Sequence, residues 1–284
     1  MKSTIEYSFI DDFKNGVTRI LSLDNKWGFA NDKGEVITPM IYDKVGYFKN
    51  GRALVLLNGK FGFINKKGNI VVSLKYDFSF NFSEGLALVL LNGKFGFINK
   101  LGKKIIPFIY DEVFSFKEGL ASVKLGKKWG FIDNKRRTVI SLKYQQVSSF
   151  YKDVSIVKLD SKFSLINKKG NVLIDLPYDN VSNFKECLSC VEIDGRYGFI
   201  DITGKIIIPI IYDYASDFFE GFSIVKINNK YSFIDKNGKL ISPVKYDYIS
   251  IFKDGFALAE LNKKNCFIDK TGKEMFSFTK KLKD

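Results

Sequence analysis

The thirteen residues LVLLNGKFGFINK stand at positions 54–66 and again, letter for letter, at 88–100, an offset of 34. The aromatic of the KFGFI segment keeps that register along the chain, at Trp27, Phe61, Phe95, Trp129, Phe163, Tyr197 and Tyr231, with Asn265 in an eighth slot. A fixed period of about 20–50 residues marks a tandem array whose modules bury their apolar faces against one another. The unchanged copy reads as a recent duplication inside that array.

A 34-residue period is also that of the tetratricopeptide helix pair. Here apolar residues alternate with a step of two, as at Gly119, Ala121, Val123 and Leu125, and turn residues recur every few positions. That pattern predicts strands, not helices. Each unit opens on a strand of the type GLALVLL, which ends at a two-residue hairpin signal such as Asn92-Gly93, Asn58-Gly59, Asp194-Gly195 or Asn228-Asn229. KFGFI is the second strand. A four-residue turn follows, opened by Asn or Asp in every unit and closed by Gly in all but one. The opening side chain is placed to form an Asx-turn, and Gly supplies the left-handed residue. Arg136 is the exception, so its turn is expected to be strained.

A third strand, such as KKIIP, meets Pro or a polar residue at one phase, as at Pro39, Pro107, Pro209 and Pro243. Proline cannot donate to a ladder, so this strand is expected to end there or to lie at a sheet edge. A connection of the type YDEVFSFKEG returns the chain to the next unit. Its Tyr (Tyr42 through Tyr246) and Phe (Phe48 through Phe252) recur every 34 residues and are expected to plug the connection onto the sheets. The expected fold is therefore all-β, a single domain over 1–284 of eight three-stranded antiparallel units. They begin near residues 7, 42, 76, 110, 144, 178, 212 and 246, and 279–284 forms a short basic tail. An open superhelical stack is the first expectation for its shape. A closed propeller-like ring is the alternative, with the connection supplying a fourth short strand.

Lys26-Trp27-Gly28-Phe29 and Lys128-Trp129-Gly130-Phe131-Ile132, completed by Tyr42-Asp43 and Tyr110-Asp111, resemble the signature of the bacterial WG-repeat (KWG-repeat) family. The likeness extends over nearly the whole chain, with Phe or Tyr replacing Trp in other units and FSLI at residue 163 departing most. It implies a β-structured repeat and no shared biochemical activity, so function has to be sought in particular surfaces.

Composition narrows the classes. With 45% hydrophobic and 27% charged residues the chain is neither disordered nor membrane-embedded. The start, MKSTIEYSFIDDF, lacks a secretory signal, so a cytoplasmic location without membrane insertion is expected. There is no His, which removes the commonest general base and zinc ligand. No catalytic residue, cofactor or metal site is expected, because neither a nucleophile–His–acid set nor a Gly-rich phosphate loop opening a helix is present. Three Cys are too few for a disulfide framework. Cys187 and Cys190 have C-x-x-C spacing, yet they occupy a Gly phase and an apolar strand phase, and Cys266 falls in a slot that is always small. The Asp of each Tyr-Asp pair reads as a cap for the turn leaving its own third strand.

Net charge is +14, and a basic residue precedes the aromatic in every unit, from Lys26 to Lys264. Basic ridges suit a polyanion. Acidic residues near the same end of each unit, such as Glu84, Glu118 and Glu186, offset part of that field. The expected function is therefore a non-catalytic scaffold, monomeric, that presents a repeat surface to another protein, an acidic one in view of the charge. The alternatives are polyanion or nucleic-acid binding and a carbohydrate-binding envelope module; the last requires exposed aromatics, which the repeat phases leave few of. Specificity is expected where exposed phases break register, at Arg136, Arg137, Gln145, Gln146 and Tyr151.

Overall fold

A computed structural model describes residues 6–14 and 16–279. The chain divides into two compact units, one reaching to Tyr144 and one starting at Gln145. Each holds four consecutive antiparallel sheets, and among the described residues there is no helix.

The second sheet shows how the sequence builds a module. Its strands are Lys44–Val45, Arg52–Leu57, Lys60–Asn65 and Ile70–Tyr76, hydrogen-bonded in that order. The two long inner strands pair without a break from Arg52↔Asn65 to Leu57↔Lys60. They are joined by Asn58 and Gly59, both at positive φ (50° and 72°), as a type I′ turn demands. The next turn is opened by Asn65, whose Oδ1 accepts from the N–H groups of Lys67 and Asn69 at 2.9 and 3.0 Å. The same pair of bonds recurs at Asn31, Asn99, Asp133, Asn167, Asp201, Asp235 and Asp269. The two-residue leading strand comes from the connection, so seven sheets have four strands and the seventh, Tyr214–Ala215 to Lys230–Asp235, has three. Tyr42, Tyr76, Tyr110, Tyr144 and Tyr212 each end the outer strand of one sheet, and the leading strand of the next starts two residues later. Thr279 ends the last strand; the rest of the expected basic tail, 280–284, lies outside the described residues.

The Gly after the repeat aromatic decides how the outer strand runs. Between Phe61↔Tyr76 and Phe63↔Val72 the outer strand takes four steps against two, a bulge that folds its backbone over Gly62. A Cβ on Gly62 would lie 2.6 Å from the Val72 carbonyl oxygen and 3.0 Å from the Leu74 nitrogen. The sheets carrying Gly28, Gly96, Gly130 and Gly198 have the same bulge. Where the slot is Ser164 or Cys266 the strands stay in step, Ser164↔Asp175 and Cys266↔Ser277. Where it is Ser232, the outer segment is reduced to the isolated bridges Ile234↔Leu240 and Tyr231↔Tyr246. There the outer segment still takes six steps against three, as it does above Gly62, and the Ser232 hydroxyl donates to the Ser242 carbonyl at 2.6 Å.

The interior lies between successive sheets of each unit. Phe63, Val72 and Tyr76 of the second sheet pack with Phe82, Ala87, Val89 and Ile98 of the third. Phe82, from the connection, meets Phe63 at 4.6 Å between ring centroids, and Phe199 and Phe218 meet likewise at 4.8 Å. The expected plugs therefore hold, each burying a large apolar area.

Candidate functional site

Most charged residues at repeat phases are used in assembling the array. Lys60 Nζ lies 2.6 Å from Asp77 Oδ1, while Asp77 Oδ2 accepts the N–H of Asn92 at 2.9 Å. One aspartate thus joins the inner strand of a sheet to the hairpin turn of the next. Lys26–Asp43, Lys94–Asp111, Arg196–Asp213 and Lys230–Asp247 repeat the ion pair. The turn bonds recur at Asn58, Gly126, Asp194, Asn228 and Asn262. The lysine at Asp43, Asp77, Asp111 and Asp247 holds each carboxyl below the usual range, and the turn N–H adds to it. The aspartates cap a turn, as expected, but the turn lies 15 residues ahead and belongs to the following module.

A second inter-module bond links the loops before the long strands. Glu84 Oε2 accepts the N–H of Gly119 at 2.9 Å, and Glu186 accepts that of Gly221 at 3.1 Å. In the second unit one copy of this link reverses its chemistry. Lys152 stands at the Glu phase and Cys187 at the Gly phase, and Lys152 Nζ donates to Cys187 Sγ at 3.0 Å. Tyr151 Oη lies 3.5 Å from the same sulfur, with its ring stacked on Phe184 at 6.2 Å and 17°. Lys152, Asp153 and Cys187 all take positive φ (49°, 65° and 76°), which L side chains seldom adopt. The ammonium of Lys152, then the Tyr151 hydroxyl, lower the Cys187 thiol from its ordinary range. Burial in the apolar core instead pushes the Cys190 thiol up to about 12. The C-x-x-C pair is therefore split between an accessible loop and the interior, and both thiols are free.

The outer strand of the fifth sheet, Val172–Leu176, is the other irregular element. Ser164 Oγ donates to Asp175 Oδ1 at 2.7 Å where a bulge would otherwise lie, and Leu176, not Tyr178, is buried opposite Phe163. The strand runs in step with Phe163–Leu165 at the sheet edge and shifts register only at Leu173, with Val172, Leu173 and Ile174 at 57, 53 and 38% exposure.

The residues singled out from register fall in different places. Arg136 and Arg137 belong to the first unit. Arg136 is exposed and takes φ 71° in the Gly slot of its turn, the strain expected of it. Arg137 Nε donates to Asp133 Oδ2 at 2.6 Å and so secures that turn. In the second unit Gln145 Oε1 accepts the N–H of Ser161 at 3.1 Å, taking over the capping role of the missing aspartate. Gln146 is exposed on the leading strand, opposite Lys158. Tyr151 alone reaches an unusual chemical group. Cys187 was noted in sequence only as a C-x-x-C member at a Gly phase, and Lys152 was missed; the signal for the pair was their joint departure from Glu and Gly at an offset of 35. More aromatics are exposed than the repeat phases suggest, among them Phe80, Phe114, Tyr214 and Tyr248.

Comparison with known proteins adds fold, not chemistry. No curated protein matches the chain. A solved structure described as the eukaryotic initiation factor superposes with a TM-score of 0.55 at 13% identity, over 93% of this chain and 85% of that one. BamB from Moraxella catarrhalis gives 0.44 at 10% identity over 93% and 91%, and Hsv2p from Kluyveromyces lactis 0.45 at 8% over 84% and 99%. At such identities the likeness is one of fold alone. The repeat family described as WG containing repeat matches seven times in tandem, over residues 27–61, 61–95, 95–129, 129–163, 163–197, 197–231 and 231–264. The chain belongs to that WG-repeat family.

Proposed function

We propose that this chain is a non-catalytic binding protein that holds an extended segment of another protein along the edge of its fifth sheet. The observation that carries the proposal is the outer strand Val172–Leu176, which stays in step with its neighbour from Leu176 to Ile174 and shifts register only before Val172. It lies at the end of its sheet's strand order, lacks the bulge that interrupts five other outer strands, and exposes three consecutive aliphatic side chains. An exposed apolar edge offers main-chain hydrogen bonds to an added strand and side-chain contacts that select it. The partner is set as a protein rather than a polyanion because Lys26, Lys60, Lys94, Arg196 and Lys230 are already matched by aspartates. The net charge of +14 favours an acidic protein by steering its approach.

The test is affinity capture with the wild-type chain and with a Leu173→Lys, Ile174→Lys variant, both checked for an unchanged β-type circular-dichroism spectrum. The expected result is a partner lost with the edge variant. Adding that partner to the wild type should slow amide exchange at 172–176. Capture of the same partner by both chains, or exchange unchanged at that strand, rules the edge out. Affinity falling steeply and linearly in log salt concentration would point to a polyanion instead.

A further inference from the structure

We infer that Lys152 and Cys187 form a reversible covalent cross-link when a peroxide reaches the thiol, so that the loop pair is a redox-responsive modification site. Geometry carries the inference. The nitrogen and sulfur are 3.0 Å apart across two neighbouring loops, Lys152 is exposed and Cys187 half-buried, so a small oxidant has access to a pair already in line. At this phase other modules use a carboxylate and a backbone N–H, such as Glu84 with Gly119, which have no oxidative chemistry. Here the same loop-to-loop link is made by a nucleophile and an amine.

The chemistry closes without a further reactant. The Cys187 thiolate attacks one peroxide oxygen, the O–O bond breaks, and Cys–SOH forms with release of hydroxide. Loss of the thiolate removes the partner that favoured the Lys152 ammonium, and the hydroxide takes the ammonium's proton to become the first water. The free amine then attacks the sulfur, the S–O bond breaks, and a second water leaves. In sum, Cys–SH, Lys–NH2 and hydrogen peroxide give Cys–S–NH–Lys and two waters. Two equivalents of a thiol reverse the bond, restoring both side chains and leaving the thiol as its disulfide. Cys190 does not compete as a resolving thiol, because it is packed with Phe199, Ile208 and Phe218 in the core.

The test treats the full chain with hydrogen peroxide and maps its peptides by mass spectrometry, with and without dithiothreitol and with dimedone as a sulfenic-acid trap. The expected result in the wild type is a linked peptide pair containing residues 152 and 187, lighter by two hydrogens and lost on reduction. Lys152→Gln should lose the linkage and accumulate the dimedone adduct at Cys187. Cys187→Gly, which suits the positive φ there and so keeps the fold, should lose both signals. A wild-type chain giving only sulfenic or sulfinic acid at Cys187, or only a disulfide between chains, would overturn the inference. So would a linkage at Lys152 that survives in Cys187→Gly.

Discussion

Arg136 shows how far a single residue can be interpreted from its place in a repeat. Its slot holds Gly in the other seven turns, and its φ of 71° is the conformation that Gly adopts freely and Arg does not. Replacing it should therefore relieve strain. Arg136→Gly is expected to raise stability by about 1 kcal/mol, read as a higher urea midpoint at unchanged slope. A lower midpoint would show that the Arg side chain contributes more than its backbone costs. The strain at Arg136 and the Asx-turns were legible because they depend on residues two to four apart. The Lys152–Cys187 contact was not, since it depends on two long-range loops meeting and on side chains aimed at each other. Gln145 lay between these cases. Its departure from Asp was visible, but its service to the turn at Ser161 appears only once the modules are stacked.

At the scale of the strand, one slot governs the sheet edge. Gly62 has the Val72 carbonyl 2.6 Å from where a Cβ would stand, so Gly62→Ala must either push the outer strand away or remove its bulge. The expected cost is about 1–3 kcal/mol in chemical denaturation. A neutral substitution would mean that the outer strand straightens as freely as it does above Ser164. Strand order, hairpin turns and aromatic plugs could be drawn from the sequence because period two and turn chemistry are local signals. The bulge could not: every Gly slot carries it, but Ser232 keeps the same register offset while Ser164 and Cys266 lose it. In the fifth sheet the side chain in that slot, Ser164, is bonded to Asp175 of the outer strand.

Across the whole molecule, the excess of positive charge is tempered by pairing, and that pairing should respond to acid. Asp43, Asp77, Asp111 and Asp247 have folded values below the ordinary 3.8, and Tyr47 and Arg19 hold Asp11 at about 2. Groups lowered by folding stabilise fully above their unfolded value and lose that contribution as pH falls through the folded one. The melting temperature is therefore expected to drop below about pH 4, and less steeply when these four aspartates are changed to Asn. Asn keeps an acceptor for the turn, as Gln145 does, but has no proton to gain. Equal acid slopes for both chains would assign the loss to other carboxylates. Direction also matters in this arrangement. Asp43 serves Asn58, Asp77 serves Asn92 and Asp213 serves Asn228, so every acceptor precedes its donor. On a ribosome, each hairpin emerges after the group that completes it, and the order of synthesis is already an order of assembly from the amino end.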